Sequence, residues 1–400
     1  MHSTYQVTRD TFWVGASDRR LECFENLFVL PNGISYNSYL IFDEKIALLD
    51  TVDLSVQSQF LANVNHLLES RSIDYLVLTH LEPDHGGAIS EIIERHPAIQ
   101  LVGSKKAHQL FEQFFPLIAQ HPFIEIGEGD TLSLGSHTLR FSLAPMVHWP
   151  EVVFALDELT GALFTADAFG TFGALSGNIF ADEVDFEHNF LDEARRYYAN
   201  IVGKYGQPVQ SALKKLPLEK INYLCPLHGP IWRKDLSYFF DKYDLWSKYL
   251  PEKSGVVMVY TSMYGHTASL VQGLAQRLAD RGVTDIHIYD VAKTNASYCV
   301  SEVWKYSHLV LASPTYNLGI HYAMDAFLHE ISSLNIQNRK VSLLANHSWA
   351  SAAMRLMTEK VSAMKDMEII GESIDVKSNT VSSYTEHFDA LADAIVASMK

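Results

Sequence analysis

Residues 75–87 read Tyr75-Leu-Val-Leu-Thr-His80-Leu-Glu82-Pro-Asp84-His85-Gly-Gly87. The apolar run YLVLT has the length and composition of a buried strand, and it passes without a spacer into four potential metal ligands, His80, Glu82, Asp84 and His85. A strand supplies rigidity, while the loop after it is free to aim polar side chains at a common point. Acidic residues ahead of a helix often serve as N-caps, but capping uses one side chain, and two imidazoles with two carboxylates exceed that role.

The same arrangement recurs downstream. His148 follows LRFSLAPMV, Asp167 follows ALFTA and His228 follows NYLCPL, each at the exit of an apolar run. Taken singly, one strand-end histidine among 18 is more often hydrogen-bonded or exposed than a ligand. Four strand ends on one edge of a sheet sandwich, however, would gather His80, Glu82, Asp84, His85, His148, Asp167 and His228. Four imidazoles and three carboxylates are too many for one tetrahedral ion but suit two ions sharing a carboxylate. No thiolate lies in these segments, and a carboxylate-rich set with open positions suits iron or manganese better than a structural zinc. The expectation is a redox-active diiron centre.

Around this site the chain reads as short hairpin strands, YLIF with IALL about Asp43-Glu44 and VVFAL with ALFTA about Thr160-Gly161, interleaved with helices. From Val256 the pattern changes to apolar strands, VVMVY, DIHIYDV, HLVLAS and KVSLLA, alternating with amphipathic stretches such as 267–280. That is a doubly wound parallel α/β pattern. The polar stretch Pro251–Gly255, after the aromatic-rich segment 238–250, sets the expected division into domains 1–250 and 251–400. A length of 400 residues agrees with more than one core.

In the second part, VVMVY is followed by Thr261, Ser262, Met263, Tyr264, Gly265, His266 and Thr267 and then a helix. Hydroxyls and free amides at a helix N-terminus make a cradle for a phosphate without Lys or Arg. Two further strand-end loops qualify as ligand walls. They are Ser313, Pro314, Thr315, Tyr316 and Asn317, and Asn346, His347, Ser348 and Trp349. Tyr316 and Trp349 are predicted to sandwich an isoalloxazine ring. No GxGxxG follows a strand, which disfavours a pyridine dinucleotide.

The charge balance, 31 basic against 47 acidic residues for a net −16, opposes non-specific attraction to nucleic acid or anionic lipid. Cys23, Cys225 and Cys299 are too few and too scattered for a disulfide framework, so a reducing, cytoplasmic compartment is expected. The N-terminus has no secretory pattern, and no window approaches ~18 uninterrupted apolar residues, so no membrane span is expected.

Residues 12 to about 231 resemble the metallo-β-lactamase-like fold, an α+β αββα sandwich whose zinc hydrolases usually carry HxHxDH. Here Glu82 takes the place of the middle histidine, and with His148, Asp167 and His228 this resembles the flavodiiron proteins. Residues 256–400 resemble flavodoxin, an α/β doubly wound parallel sheet, which implies FMN. The resemblance implies one iron on His80, Glu82 and His148, the other on Asp84, His85 and His228, and Asp167 bridging. In some family members the histidine matching His85 gives way to water. It implies reduction of dioxygen to water or of nitric oxide to nitrous oxide, with electrons from an external donor, a rubredoxin or a reduced deazaflavin, since no CxxC pair exists here. It also implies a head-to-tail homodimer, possibly a tetramer, in which each FMN faces the partner's irons. One departure from the family pattern is Asn346-His347-Ser348-Trp349, where many members have Gly-Ser-aromatic-Gly-Trp. Two rival readings are a binuclear zinc hydrolase fused to a flavodoxin and a non-enzymatic electron carrier. Glu82 opposes the first and the seven-residue ligand set the second.

Overall fold

The computed structural model describes residues 1–399. The chain forms two compact units. The first comprises Met1–Tyr198 and Tyr205–Asp244, and the second comprises Ala199–Lys204 and the chain from Leu245 onward. The 250/251 division read from the sequence therefore falls inside the second unit. The polar stretch there is not a linker. Lys253, Ser254 and Gly255 open the strand Lys253–Tyr260, which is extended enough to pair Lys253 with Tyr306 across a bulge. The aromatic segment before it forms the helix Leu236–Ser247.

In the first unit two sheets share one core. The larger runs in the order Tyr5–Gln6, Thr11–Trp13, Tyr39–Ile41, Ala47–Leu49, Tyr75–Val77, Gln100–Ser104, Phe123–Ile126. The smaller runs Thr131–Ser133, Thr138–Leu143, Val153–Asp157, Ala162–Phe164, Tyr223–Cys225. Alternation along each strand sends one set of side chains between the sheets, among them Tyr39, Leu49, Val77 and Val102 from one and Phe141, Ala155, Phe164 and Cys225 from the other. The opposite set of the larger sheet, Leu40, Leu48, Leu76 and Leu101, is also fully buried, so that sheet is covered on both faces. The hairpins about Asp43-Glu44 and Thr160-Gly161 are antiparallel as their alternation predicts. The sheets are nevertheless mixed, because Ala47–Leu49, Tyr75–Val77, Gln100–Ser104 and Phe123–Ile126 run parallel, as do Ala162–Phe164 and Tyr223–Cys225.

The second unit has a parallel sheet in the order Ile286–Asp290, Lys253–Tyr260, Tyr306–Tyr316, Arg339–His347, continued by Met367–Ile369 and Ile374–Lys377. This is the flavodoxin-like order 2-1-3-4-5, whose switch point lies between the first and third strands. Val256, Met258, Val310 and Leu344 bury one face against residues of the helices His266–Asp280 and Thr385–Ser398, and Val257, Val259, Leu309, Leu311 and Leu343 are buried on the other. Among the described residues, no helix is long and apolar enough to cross a membrane.

Candidate metal centre and cofactor cavity

Parallel alignment of Thr138–Leu143, Ala162–Phe164 and Tyr223–Cys225, each alternate strand of the smaller sheet or a parallel neighbour, sends their carboxyl ends to one edge. His148, Asp167 and His228 lie just beyond those ends. The strand Tyr75–Val77 delivers His80 to the same edge, where Val153 N–H donates to the Thr79 carbonyl across the two sheets. All seven residues read from the sequence converge there in two groups: His80, Glu82, His148 and Asp167, and Asp84, His85 and His228. All seven are buried.

In the first group, Glu82 Oε2 stands 3.2 Å from His80 Nε2 and 3.1 Å from His148 Nε2. In the second, Asp84 Oδ2 stands 3.2 Å from both His85 Nε2 and His228 Nε2. Asp167 faces both groups. Its Oδ2 is 3.1 Å from His148 Nε2 and 3.6 Å from His80 Nε2, while its Oδ1 is 3.0 Å from His85 Nε2 and 3.7 Å from His228 Nε2. Ligand atoms held about 2.1 Å from one ion are separated by roughly 3.0 to 3.4 Å, depending on geometry. The observed spacings fall around that interval. Both Asp84 oxygens, both His85 nitrogens, Asp167 Oδ1 and His228 Nε2 are buried without a hydrogen-bond partner, a costly state that cations between them would relieve. The residues fit two metal ions side by side.

The electrostatics follow from that crowding. Burial alone would push His148 toward its neutral form, but Asp167 and Glu82 outweigh it and raise its pKa to about 9. His85 responds likewise, rising to about 8 under Asp84 and Asp167. Burial would raise Asp167 and Glu82, yet the surrounding imidazoles hold both below the usual carboxylate range.

Three features behind these residues escape the sequence reading. His80 Nδ1–H donates to Glu151 Oε1 at 2.7 Å, which fixes the tautomer and leaves Nε2 facing the cluster. His228 Nδ1–H donates to the Ser35 carbonyl at 2.7 Å, which does the same for that ring. Asp50 accepts from Thr79 N–H at 2.8 Å and from the Thr79 hydroxyl, bracing the turn that carries His80. Asp50 follows the apolar run IALL as His80 follows YLVLT, so the strand-exit pattern was present for it as well. Aromatic rings close the site: Trp149 stands edge-on to His80, and Phe24, Tyr36 and Tyr197 surround His228. Phe172 packs on Phe24 and Tyr197 behind that shell, whereas Phe169 packs on Tyr243.

In the second unit, a cavity of about 520 Å³ opens at the carboxyl ends of the strands. Its size suits a single cofactor. Ser262, Met263, Tyr264, His266 and Thr267 form one wall, Pro314, Thr315 and Asn317 a second, and Asn346, His347, Ser348 and Trp349 a third. Leu318, Ala350 and Ser378 also line it, beyond the stretches read from the sequence. Thr261, Gly265, Ser313 and Tyr316 do not. Thr261 and Ser313 are buried below the cavity, their hydroxyls 3.4 Å apart. Gly265 has φ +91°, a conformation that favours glycine, and a Cβ there would meet nothing within 4 Å. Backbone shape rather than close contact therefore requires it. Ser262 Oγ accepts from the Gly265 and Ala268 amides, which leaves the His266 and Thr267 amides without a protein acceptor at the head of the helix. Tyr316 packs beside His321 and is exposed at 41%, and the opposite candidate Trp349 is almost fully exposed at 91%. Among the described residues, no lysine, arginine or carboxylate lines the cavity.

A β-lactamase-type sandwich with a twofold histidine and carboxylate cluster, followed in the chain by a flavodoxin-type unit, defines a two-domain redox class of protein. A family model described as "ODP family beta lactamase" matches residues 34–229. The anaerobic nitric oxide reductase flavorubredoxin of Pectobacterium atrosepticum is 30% identical over 373 residues, 90% of this chain and 71% of that protein. The nitric oxide reductase of Moorella thermoacetica is 29% identical over 377 residues, 93% of this chain and 92% of that one. The solved structure of rubredoxin oxygen:oxidoreductase from the anaerobe Desulfovibrio gigas is 28% identical and superposes with a TM-score of 0.92, covering 99% of this chain and 98% of that one. The chain belongs to the flavodiiron protein family and is an oxidoreductase of that type.

Proposed function

We propose that this protein reduces dioxygen to water, nitric oxide to nitrous oxide, or both, at a diiron centre in the first unit, with electrons passed through FMN in the second. The observation that carries the reading is the Asp167 carboxylate, whose two oxygens face the imidazoles of two separate ligand groups. In this assignment His80, Glu82 and His148 hold one iron, Asp84, His85 and His228 the other, and Asp167 spans them. Bound there, the irons supply two redox equivalents next to a diatomic oxidant, and FMN supplies up to two more.

The chain's own residues do the rest. Dioxygen takes four electrons and four protons to give two waters, and two nitric oxide molecules take two of each to give nitrous oxide and water. The aromatic shell of Trp149, Phe24, Tyr36 and Tyr197 limits water around the centre, which strengthens every charge interaction inside it. Glu151 and the Ser35 carbonyl keep the protons of His80 and His228 on Nδ1, so that each Nε2 is free to bind metal. The proposed donor is a rubredoxin or another external one-electron carrier, the proposed assembly a head-to-tail homodimer, and the proposed compartment the cytoplasm, where the three free cysteines stay reduced.

The test is electrode-monitored consumption of dioxygen and, separately, of nitric oxide by an iron-analysed, anaerobically reduced preparation given an electron donor. Loss of either gas at a rate tied to iron content supports the proposal. Two zincs per chain with hydrolysis in the absence of reductant would replace it with a hydrolase. A second expectation concerns Glu151→Gln, which keeps an acceptor oxygen for His80 but removes the charge behind the ring. Metal retention against a chelator is expected to weaken about tenfold or more, by analogy with the partners of metal-bound histidines elsewhere. Unchanged retention would show the carboxylate to be only a packing group.

A further inference from the structure

The third wall of the cofactor cavity departs from the family pattern, and its hydrogen bonds separate residues that hold the wall from residues left for a ligand. Asn346 spends its amide on the Val376 and Ser378 carbonyls, at 3.0 and 2.8 Å. Thr315 Oγ1 accepts from the Ala352 and Ala353 amides, at 3.1 and 3.2 Å. The Asn346 NH2 and the accepting side of the Thr315 hydroxyl are therefore spent on the wall itself. Between them runs the loop from His347 to Ser351, and both of its ends are tied to one carboxylate. His347 Nδ1 lies 2.8 Å from Asp375 Oδ1, and the Ser351 hydroxyl donates to Asp375 Oδ2. Asp375 sits on the neighbouring parallel strand, in register with Ala345, so the sheet itself fixes where the carboxylate stands.

A carboxylate only accepts, so the proton of this imidazole is on Nδ1 and Nε2 is the acceptor. Nε2 has no protein partner among the described residues, and His347 lines the cavity. Among the described residues, His347 and His266 are the only imidazoles on its walls. Asp375 also makes Nε2 a stronger acceptor, as a carboxylate behind a histidine does at metal sites.

We propose that His347 accepts a hydrogen bond from the cofactor in this cavity, through Nε2, and that Asp375 is the positioning residue that sets both the ring's tautomer and the shape of the loop carrying Trp349. The ligand class is a flat heteroaromatic with a donor edge or a polyol chain. This inference rests on the FMN reading and assigns that reading a contact specific to this chain.

The experiment titrates FMN into flavin-depleted full-length protein and compares Asp375→Asn, His347→Phe, the double variant and Ser351→Ala, with the urea midpoint of each apoprotein as a folding control. Loss of a hydrogen bond supported by a charged group should weaken FMN binding about tenfold to a hundredfold in each of the first two variants. Because part of the effect of Asp375 runs through His347 and part through the Ser351 end of the loop, the loss in the double variant should be smaller than the sum of the two single losses. Ser351→Ala should shift the visible circular dichroism of the bound flavin through its effect on the loop. Binding by Asp375→Asn within twofold of wild type, or strictly additive losses in the double variant, would overturn the proposal while leaving FMN as the cofactor. Failure of the unmodified apoprotein to bind FMN would overturn the underlying reading as well.

Discussion

Asp167→Ala is expected to abolish binuclear metal binding, with iron falling from about two per chain to fewer than about one and turnover falling by about a hundredfold or more. The expectation follows from its position. Asp167 faces four imidazoles, His80, His85, His148 and His228, and they hold its carboxyl well below the usual carboxylate range against the effect of burial. Removing it leaves those rings buried without a shared anion, and the two ions without the charge that lets them sit side by side. Asp167→Asn separates shape from charge: it fills the same space and retains one acceptor, so iron loss there identifies charge as the cause. Flavin content supplies the internal control, since the cavity lies in the other compact unit. Iron by elemental analysis and flavin by absorbance, on the same samples, decide the matter. Two irons retained in Asp167→Ala would show that the shared carboxylate is misassigned.

The cluster of candidate ligands was legible for a physical reason. Each of its members stands at the exit of an apolar run, and a sheet collects the exits of its parallel strands at one edge. His80 through His85 are legible alone, because no common structural role needs two imidazoles and two carboxylates in six positions. His148, Asp167 and His228 become legible only together. Asp50 obeys the same pattern, yet it braces the Thr79 turn instead of facing the cluster, and nothing local separates the two outcomes. Glu151 was hidden because its role depends on the ring orientation of His80, 71 residues away in sequence.

In the flavodoxin-like unit the strand pattern predicted the loops but not the division of labour within them. Thr261 directly follows its strand and Ser313 lies within the strand Tyr306–Tyr316, and both hydroxyls are buried within hydrogen-bond reach of each other rather than turned to the cavity. Asn346 and Thr315 point their polar groups at neighbouring backbone. Hydroxyl and amide side chains satisfy local backbone as readily as a phosphate, so composition alone does not choose. The reading of the polar stretch 251–255 as the joint between domains has a similar origin. Lys253 and Ser254 are polar because they form the exposed first residues of a strand, not because they link two bodies.

Metal loading is expected to release protons at pH 7, and to weaken steeply as pH falls. In the metal-free protein burial disfavours charge on His80, His148 and His85, but the facing carboxylates overcome it: His80 is raised well above its ordinary value, His148 to about 9 and His85 to about 8, so all three rings hold a second proton at pH 7. An ion binding at Nε2 has to displace those protons. Each displaced proton should cost about tenfold in affinity per unit of pH. Calorimetry of Fe(II) binding in buffers of different ionisation enthalpy measures the number directly, and a value of zero would contradict the arrangement. The same groups give the metal-free fold the opposite pH response. A histidine whose folded pKa exceeds its ordinary value of 6.5 stabilises fully below that value, and the stabilisation is lost as pH rises through 8 to 9. Glu82 and Asp167, held low, would lose theirs only in strong acid and do not alter this window. The melting temperature of the metal-free protein should therefore fall between pH 7 and 10, while that of the metal-loaded protein should fall between pH 7 and 5. Two trends of opposite sign in one protein follow from protons and metal ions competing for the same buried nitrogens, and parallel trends would mean that the histidines do not bind the metal.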